Sequence, residues 1–348
     1  MAAGGQNRLF DGLFADPEIA ALFSAETMFA HFRHYEMALT EAQGAVGRVK
    51  DAARIAARIA KFEIAPDAIS DRVTQDGVPV PAYVAALEAA LGVDAAAVHL
   101  DATSQDLMDT SLALSLRRLS EVLAARLDRV IVALDGLQAA QGARTLMGRT
   151  RMQAALPIPV ATRLEAWQTP LLRARDRFPE ARAGVEQLQF GGPVGQRSPQ
   201  MAAIAERLAK ALDLPPPGPV WHSTRDGVVG YGTWLALVTG SLGKMGQDIA
   251  LMSQQGVDDA RLSGGGTSSA MPHKQNPIAA ETLVTLARFN AVQIGGLHQA
   301  MVHEQERSGA AWALEWMILP QICEATGAAL RHAAALLDSI ETLGKKPV

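Results

Sequence analysis

Three unbroken ladders of apolar residues constrain what this 348-residue chain can fold into. In residues 107–141, Leu112, Leu116, Leu119, Leu123, Leu127, Val130, Leu134 and Leu137 step by threes and fours. Residues 224–254 carry Val228, Tyr231, Leu235, Val238, Leu242, Met245, Ile249 and Met252 in the same rhythm. Residues 310–340 carry Trp312, Trp316, Leu319, Ile322, Thr326, Leu330, Ala333, Leu337 and Ile340. This is the period of a helix with one buried stripe. Each such helix is about 45–50 Å long at the helical rise, and it needs partners of equal length along its whole stripe. Two more helices are expected, from Pro159 to about Phe178 and from Pro277 to about His303, because proline suits a first helical turn.

Composition agrees with an all-α chain. Aromatic residues are 5% and β-branched runs are scarce, whereas hydrophobic residues reach 49%, enough for a large core. Shorter helices are expected near residues 25–49, 51–61 and 82–91. The prolines of residues 74–81 (TQDGVPVP) predict an extended loop there, and those of residues 215–219 a stiff connector. The division follows: a helical N-terminal domain over residues 1–105 and a long helix-bundle domain over residues 106–348. Helices longer than one domain's diameter make self-association the expectation.

The formal charge of −4 excludes a globally basic nucleic-acid binder. The single cysteine, Cys323, excludes a disulfide framework or a cysteine-based zinc site within one chain. The first residues contain no apolar run resembling a signal peptide, and the uncharged stretch 227–243 is short for a span and reads as a buried helix. The expectation is a cytoplasmic protein with no membrane or nucleic-acid partner. His298 and His303 lack a zinc spacing and read as solvated helix residues, and His31 and His34 lie on a polar face. No metal or cofactor is expected.

Four polar or glycine-rich loops interrupt this scaffold. The richest is Ser263-Gly264-Gly265-Gly266-Thr267-Ser268-Ser269-Ala270-Met271-Pro272-His273-Lys274-Gln275-Asn276-Pro277. It places hydroxyls, a lysine and an amide just before a helix, an arrangement that favours anions. It is no phosphate P-loop, for it lacks Gly-Lys-Ser/Thr and a preceding strand. Taken alone, a glycine-serine loop of this kind reads first as a surface turn and helix cap. The second loop, from His99 to Asp106, caps the first long helix through Thr103 and Ser104, which leaves His99 without a structural reason. The third, from Gly148 to Pro157, is a non-helical link carrying Arg149, Arg151 and Gln153. The fourth is Gln189-Phe190-Gly191-Gly192-Pro193-Val194-Gly195, where backbone can approach a ligand closely.

Taken in order, these segments resemble the fumarase/aspartase superfamily, whose signature loop matches Ser268-Ser269-Ala270-Met271-Pro272-His273-Lys274-Gln275-Asn276-Pro277. Three stretches resemble its bacterial 3-carboxy-cis,cis-muconate cycloisomerases in particular. They are Thr103-Ser104-Gln105-Asp106-Leu107-Met108-Asp109-Thr110, then Leu188-Gln189-Phe190-Gly191-Gly192, then Glu304-Gln305-Glu306-Arg307-Ser308 with Trp312, Glu315-Trp316 and Leu319-Pro320. The resemblance covers nearly the whole chain.

It implies a homotetramer with a twenty-helix core and active sites shared between subunits. It also implies addition to, or elimination from, the carbon beside a carboxylate of a small polycarboxylate. Ser268 would move the Cα proton, Lys274 and Asn276 would hold carboxylate, and His99 would assist. Thr103, Ser104, Gln153, Arg149, Arg151, Ser269, Met271 and Arg307 would complete substrate binding. Two departures stand out. Arg151 occupies the place of the histidine common in the superfamily's lyases, so it pairs with Glu281 or binds a third substrate carboxylate. The chain also ends soon after the last bundle helix, so the usual C-terminal domain is read as missing. The expected function is a cycloisomerase of protocatechuate (β-ketoadipate) catabolism; the alternatives are another dicarboxylate or amino-acid lyase, or a non-catalytic oligomeric relative.

Overall fold

The computed structural model describes residues 8–267, 270–271 and 274–346. The N-terminal part holds α1 (Asp11–Phe14), α2 (Pro17–Ala21), α3 (Ala25–Ala45), α4 (Ala52–Ile59), α5 (Ser70–Asp76) and α6 (Val80–Leu91). Residues 74–76 belong to α5, so only a short turn remains of the extended loop expected over 74–81. Pro79 and Pro81 do not prevent this, because they sit at the N-cap and first turn of α6, where a missing N–H costs nothing.

The long helices follow: α7 (Ser104–Gln141), α8 (Val160–Ala183), α9 (Pro199–Ala211), α10 (Asp226–Met252), α11 (Ile278–Ala300) and α12 (Ala310–Asp338). Five of them form the bundle that the apolar ladders predict; α9, which was not anticipated, packs elsewhere. Between α7 and α8 the chain makes a hairpin of β1 (Thr145–Thr150) and β2 (Gln153–Pro159). Short ribbons join β3 (Ala260–Leu262) to β6 (Ile340–Leu343), and β4 (Gly266–Thr267) to β5 (Gln275–Asn276).

Side-chain bonds fix the directions of the helices. Trp167 Nε1 donates to Asp248 and Trp234 Nε1 to the Ala174 carbonyl, so α8 runs antiparallel to α10. A Cβ at Gly232 would strike Leu297, and one at Gly246 would stand 2.5 Å from the Ala280 carbonyl oxygen, so α11 also opposes α10 along its length. The buried Asn290 of α11 donates toward Thr239 of α10 and to Thr326 and the Ile322 carbonyl of α12, which sets the register of three helices. Helices α7, α10 and α12 therefore begin at one end of the bundle, and α8 and α11 begin at the other.

Two apolar cores result. The larger is the bundle interior, containing Leu116, Leu123, Trp167, Leu235, Leu242, Leu283 and Leu330. The smaller gathers Phe32, Tyr35, Leu39, Tyr83 and Leu87 with the start of α7 at Leu107, and residues 188–214 return to it through Phe190, Ile204 and Leu208. Among the described residues one window, Val80–Ala97, is apolar and long enough by composition to cross a membrane. Tyr83, Leu87 and Leu91 within it pack into the smaller core.

Candidate functional site

The starts of α7, α10 and α12 converge with three loops at one end of the bundle. Thr103 is the N-cap of α7, and Asp106 in the first turn reaches back to its backbone N–H at 3.0 Å. The same carboxylate, wholly buried, also accepts from the N–H groups of Gly191 and Gly192 at 2.9 Å each and lies 2.8 Å from His222 Nε2. One carboxylate thus ties the helix start to the 189–195 turn. Gly192 has a φ of +65°, and a Cβ there would approach the Asp101 carbonyl at 3.0 Å, so the turn closes only with glycine.

Two side chains one turn apart on α7 extend the assembly. Gln105 accepts from Arg307 Nε at 3.0 Å and donates to the His222 carbonyl at 2.8 Å. Asp109 makes a two-pronged ion pair with Arg225, whose other face pairs with Glu315 of α12; all three are buried. Trp312 donates to Asp109, and the Arg225 guanidinium lies over the Trp221 ring. Burial alone would raise the Glu315 carboxyl, but His303 and Arg225 beside it hold it below its ordinary range. The His303 side chain is fully buried, 3.4 Å from Glu315, which corrects the solvated-helix reading. His31, read as lying on a polar face, packs against Ser111 at 3.2 Å, and burial pushes it down to about 4.

His99 also sits at this end, in left-handed backbone with a φ of +53°. Its N–H and Nδ1 both engage the buried Glu36, at 2.8 and 2.7 Å. Burial opposes protonation of the ring, but the hydrogen bond and charge of Glu36 outweigh it and raise the pKa. The structural reason that capping did not supply is therefore partly a buried ion pair. Thr103 and Ser104 stay half-buried beside it.

The other end of the bundle carries the remaining sequence-predicted residues. The β4–β5 ribbon pairs Gly266 with Asn276 and Thr267 with Gln275, just before the start of α11. Ser268 and Ser269 lie outside the described residues. Lys274 is exposed, and its N–H bonds the carbonyl of Met271, itself exposed. Lys274 and Met271 line a cleft of about 890 Å³ with Gln254, Glu281 and Arg288. A second cleft of about 450 Å³ is lined by Arg149, Arg151, Arg163, Lys244, Asp248 and Asp259. Both share Leu251 and Gln254, so they flank the last turn of α10.

Arg151 and Met152 form the β1–β2 turn, with φ of +47° and +68°. Two successive left-handed residues match the twist of a two-residue hairpin, yet neither is the glycine or asparagine that such a turn favours. Arg149 lies 3.9 Å from Asp259, and Gln153 is exposed on β2. Among the described residues no ion pair joins Arg151 to Glu281, and the two line different clefts.

The 27 residues of α10 separate these two ends by about 40 Å. One chain therefore brings His99, Thr103, Ser104 and Arg307 to one end, and places Lys274 and the pair Arg149 and Arg151 in two clefts that flank the last turn of α10 at the other. It does not join the two groups. Sequence reasoning missed Gln105, His222, Asp109, Arg225 and Glu315 as site-forming residues. The signal was a set of polar residues on apolar helix faces, but partners 90 or more positions away leave no spacing to read.

An antiparallel helical bundle carrying cationic and amide side chains at loops on both ends is an all-α scaffold suited to binding anions. The chain belongs to the family described as Lyase, whose sequence pattern matches residues 34–293. It is 36% identical to a 3-carboxy-cis,cis-muconate cycloisomerase of Pseudomonas aeruginosa, over 96% of this chain and 76% of that one. The crystal structure of a 3-carboxy-cis,cis-muconate lactonizing enzyme from Pseudomonas putida superposes with a TM-score of 0.87 at 33% identity, covering 97% of this chain and 77% of that one. A fumarate lyase from Mesorhizobium superposes equally, 0.87 at 29% identity, over 95% and 76% of the two chains.

Proposed function

We propose that the protein is a cycloisomerase that closes 3-carboxy-cis,cis-muconate to a carboxymuconolactone. The observation that carries this reading is the 36% identity to a cycloisomerase over 96% of the chain. The site chemistry supports it. One substrate carboxylate attacks the conjugated double bond and forms the ring C–O bond, and the π electrons move onto the neighbouring carboxylate as an aci-carboxylate. Proton delivery to Cα completes an isomerisation in which nothing is lost. Lys274 and Asn276 carry the charge and amide donors to stabilise that intermediate. Ser268 is the proposed proton donor, with His99 assisting through its Glu36-bound ring. Arg149, Arg151 and Arg307 match the remaining carboxylates, with Thr103, Ser104, Gln153, Ser269 and Met271 completing the walls.

These groups meet only if copies of the chain assemble. The proposed assembly is a homotetramer in which one copy's α7 start faces another's signature loop. Leu237, Phe289, Val292 and Met317, exposed apolar residues on α10, α11 and α12, support packing of the bundles side by side. The same reading keeps the division at residue 105, with residues 188–214 packed on the N-terminal part, and a cytoplasmic setting.

The test is loss of diene absorbance when the purified protein meets 3-carboxy-cis,cis-muconate, with fumarate, adenylosuccinate and argininosuccinate alongside. Rapid loss that Ser268→Ala abolishes is expected. Turnover of a dicarboxylate instead would favour a lyase, the reading for which the equal superposition on a fumarate lyase speaks.

A further inference from the structure

Two arginines lie against one face of α7, four residues apart in their anchors, and they are held in opposite ways. Arg225 is anchored by Asp109 and Glu315, two carboxylates, and is wholly buried. Its charge is neutralised twice over, and it is a structural cation. Arg307 is anchored one turn nearer the helix start by Gln105 Oε1 at 3.0 Å and by the Pro193 carbonyl at 3.2 Å. Both acceptors are uncharged. Among the described residues Arg307 has no ion-pair partner, and it remains exposed.

Gln105 itself has no freedom. It is fully buried, and its amide can face only one way. The oxygen must meet the donor-only guanidinium, and the nitrogen must meet the acceptor-only carbonyl of His222. Arg307 Nε and one terminal nitrogen are thereby committed, and the guanidinium plane is set while its other N–H groups stay available.

We propose that Gln105 is a positioning residue for substrate binding: it orients Arg307 without neutralising it, so that the full positive charge is kept for a substrate carboxylate. A glutamate here would hold the same guanidinium but cancel the charge the substrate needs. This inference rests on the placing of Arg307 in the substrate site.

The experiment is steady-state kinetics with 3-carboxy-cis,cis-muconate on Gln105→Leu, Gln105→Glu, Arg307→Ala and the double variant Gln105→Leu/Arg307→Ala, each checked for thermal midpoint and oligomeric state. Gln105→Leu is expected to raise KM about tenfold, the value of one lost charge-assisted hydrogen bond, with a smaller change in kcat. In the Arg307→Ala background the same substitution should change KM less than about twofold, since its target is gone. Gln105→Glu should raise KM at least as much as Gln105→Leu, although it keeps an acceptor for Arg307. Wild-type KM in Gln105→Glu, or additive effects in the double variant while Arg307→Ala alone raises KM, would overturn this inference and leave the proposed function standing. An unchanged KM in Arg307→Ala, or no turnover by the unaltered protein, would overturn the reading beneath it and this inference with it.

Discussion

Asp106 gathers four donors on two oxygens, and no uncharged side chain of its size can do the same. In Asp106→Asn one oxygen becomes an NH2 group that must face Gly191 N–H or the Thr103 and Gly192 N–H groups, donor against donor. The expected result is a loss of about 2–3 kcal/mol of stability. A loss of about a hundredfold in kcat/KM should accompany it, as the 103–106 and 189–195 backbones drift apart. Urea unfolding and kinetics on the same preparation check both. The Glu36–His99 pair gives a pH signature. The folded-state pKa of His99 lies above its ordinary value, so the stabilisation is fully present below about 6.5 and is lost as pH rises through the folded pKa. Glu36→Gln should remove this pH-dependent component. Unfolding free energy measured from pH 6 to 9 that declines equally in wild type and variant would refute the assignment. Thr103, Ser104, Arg307 and Lys274 stand out in the sequence as candidates because they lie in compact motifs. Gln105 and His222 were not legible as partners, since 117 positions separate them and only folding brings them within 2.8 Å.

At the scale of elements, the sequence was clearest where a single stripe runs long. The ladders from Leu112 and Val228 fell inside helices, and that from Trp312 did so up to Leu337, with Ile340 passing into β6, because burying one stripe along a bundle needs only the 3.6-residue period. The β1–β2 hairpin was legible only as a non-helical link. Its turn residues Arg151 and Met152 carry none of the usual turn chemistry and hold positive φ because the pairing of Thr150 with Gln153 imposes it. At Gly246 the backbone of α11 itself stands against α10, so an added methyl would come within 2.5 Å of the Ala280 carbonyl oxygen, which cannot yield as a side chain could. Gly246→Ala is therefore expected to destabilise the protein by about 1–3 kcal/mol. Thermal unfolding tests this, with Gly240→Ala as control, because open space surrounds that position.

At the scale of the whole molecule, the separation of the two ends makes a prediction about mixtures. Arg307→Ala spoils the end where α7 begins, and Ser268→Ala spoils the signature loop. If each site draws its two ends from different chains, co-expressing the two impaired variants should give, at substrate well below the KM of Arg307→Ala, about a quarter of wild-type activity at equal dose. Activity no greater than the sum of the separate variants would mean that both ends come from one chain. What the sequence determined by itself was the helical period, the approximate length of the bundle and which loops carry cationic and amide side chains, since these depend on local spacing and local chemistry. Only the tertiary structure decided which loops share an end of the bundle and which buried partners hold them. A rigid helix of 27 residues converts separation along the chain into about 40 Å of space, and no local pattern records on which side of that distance a loop will fall.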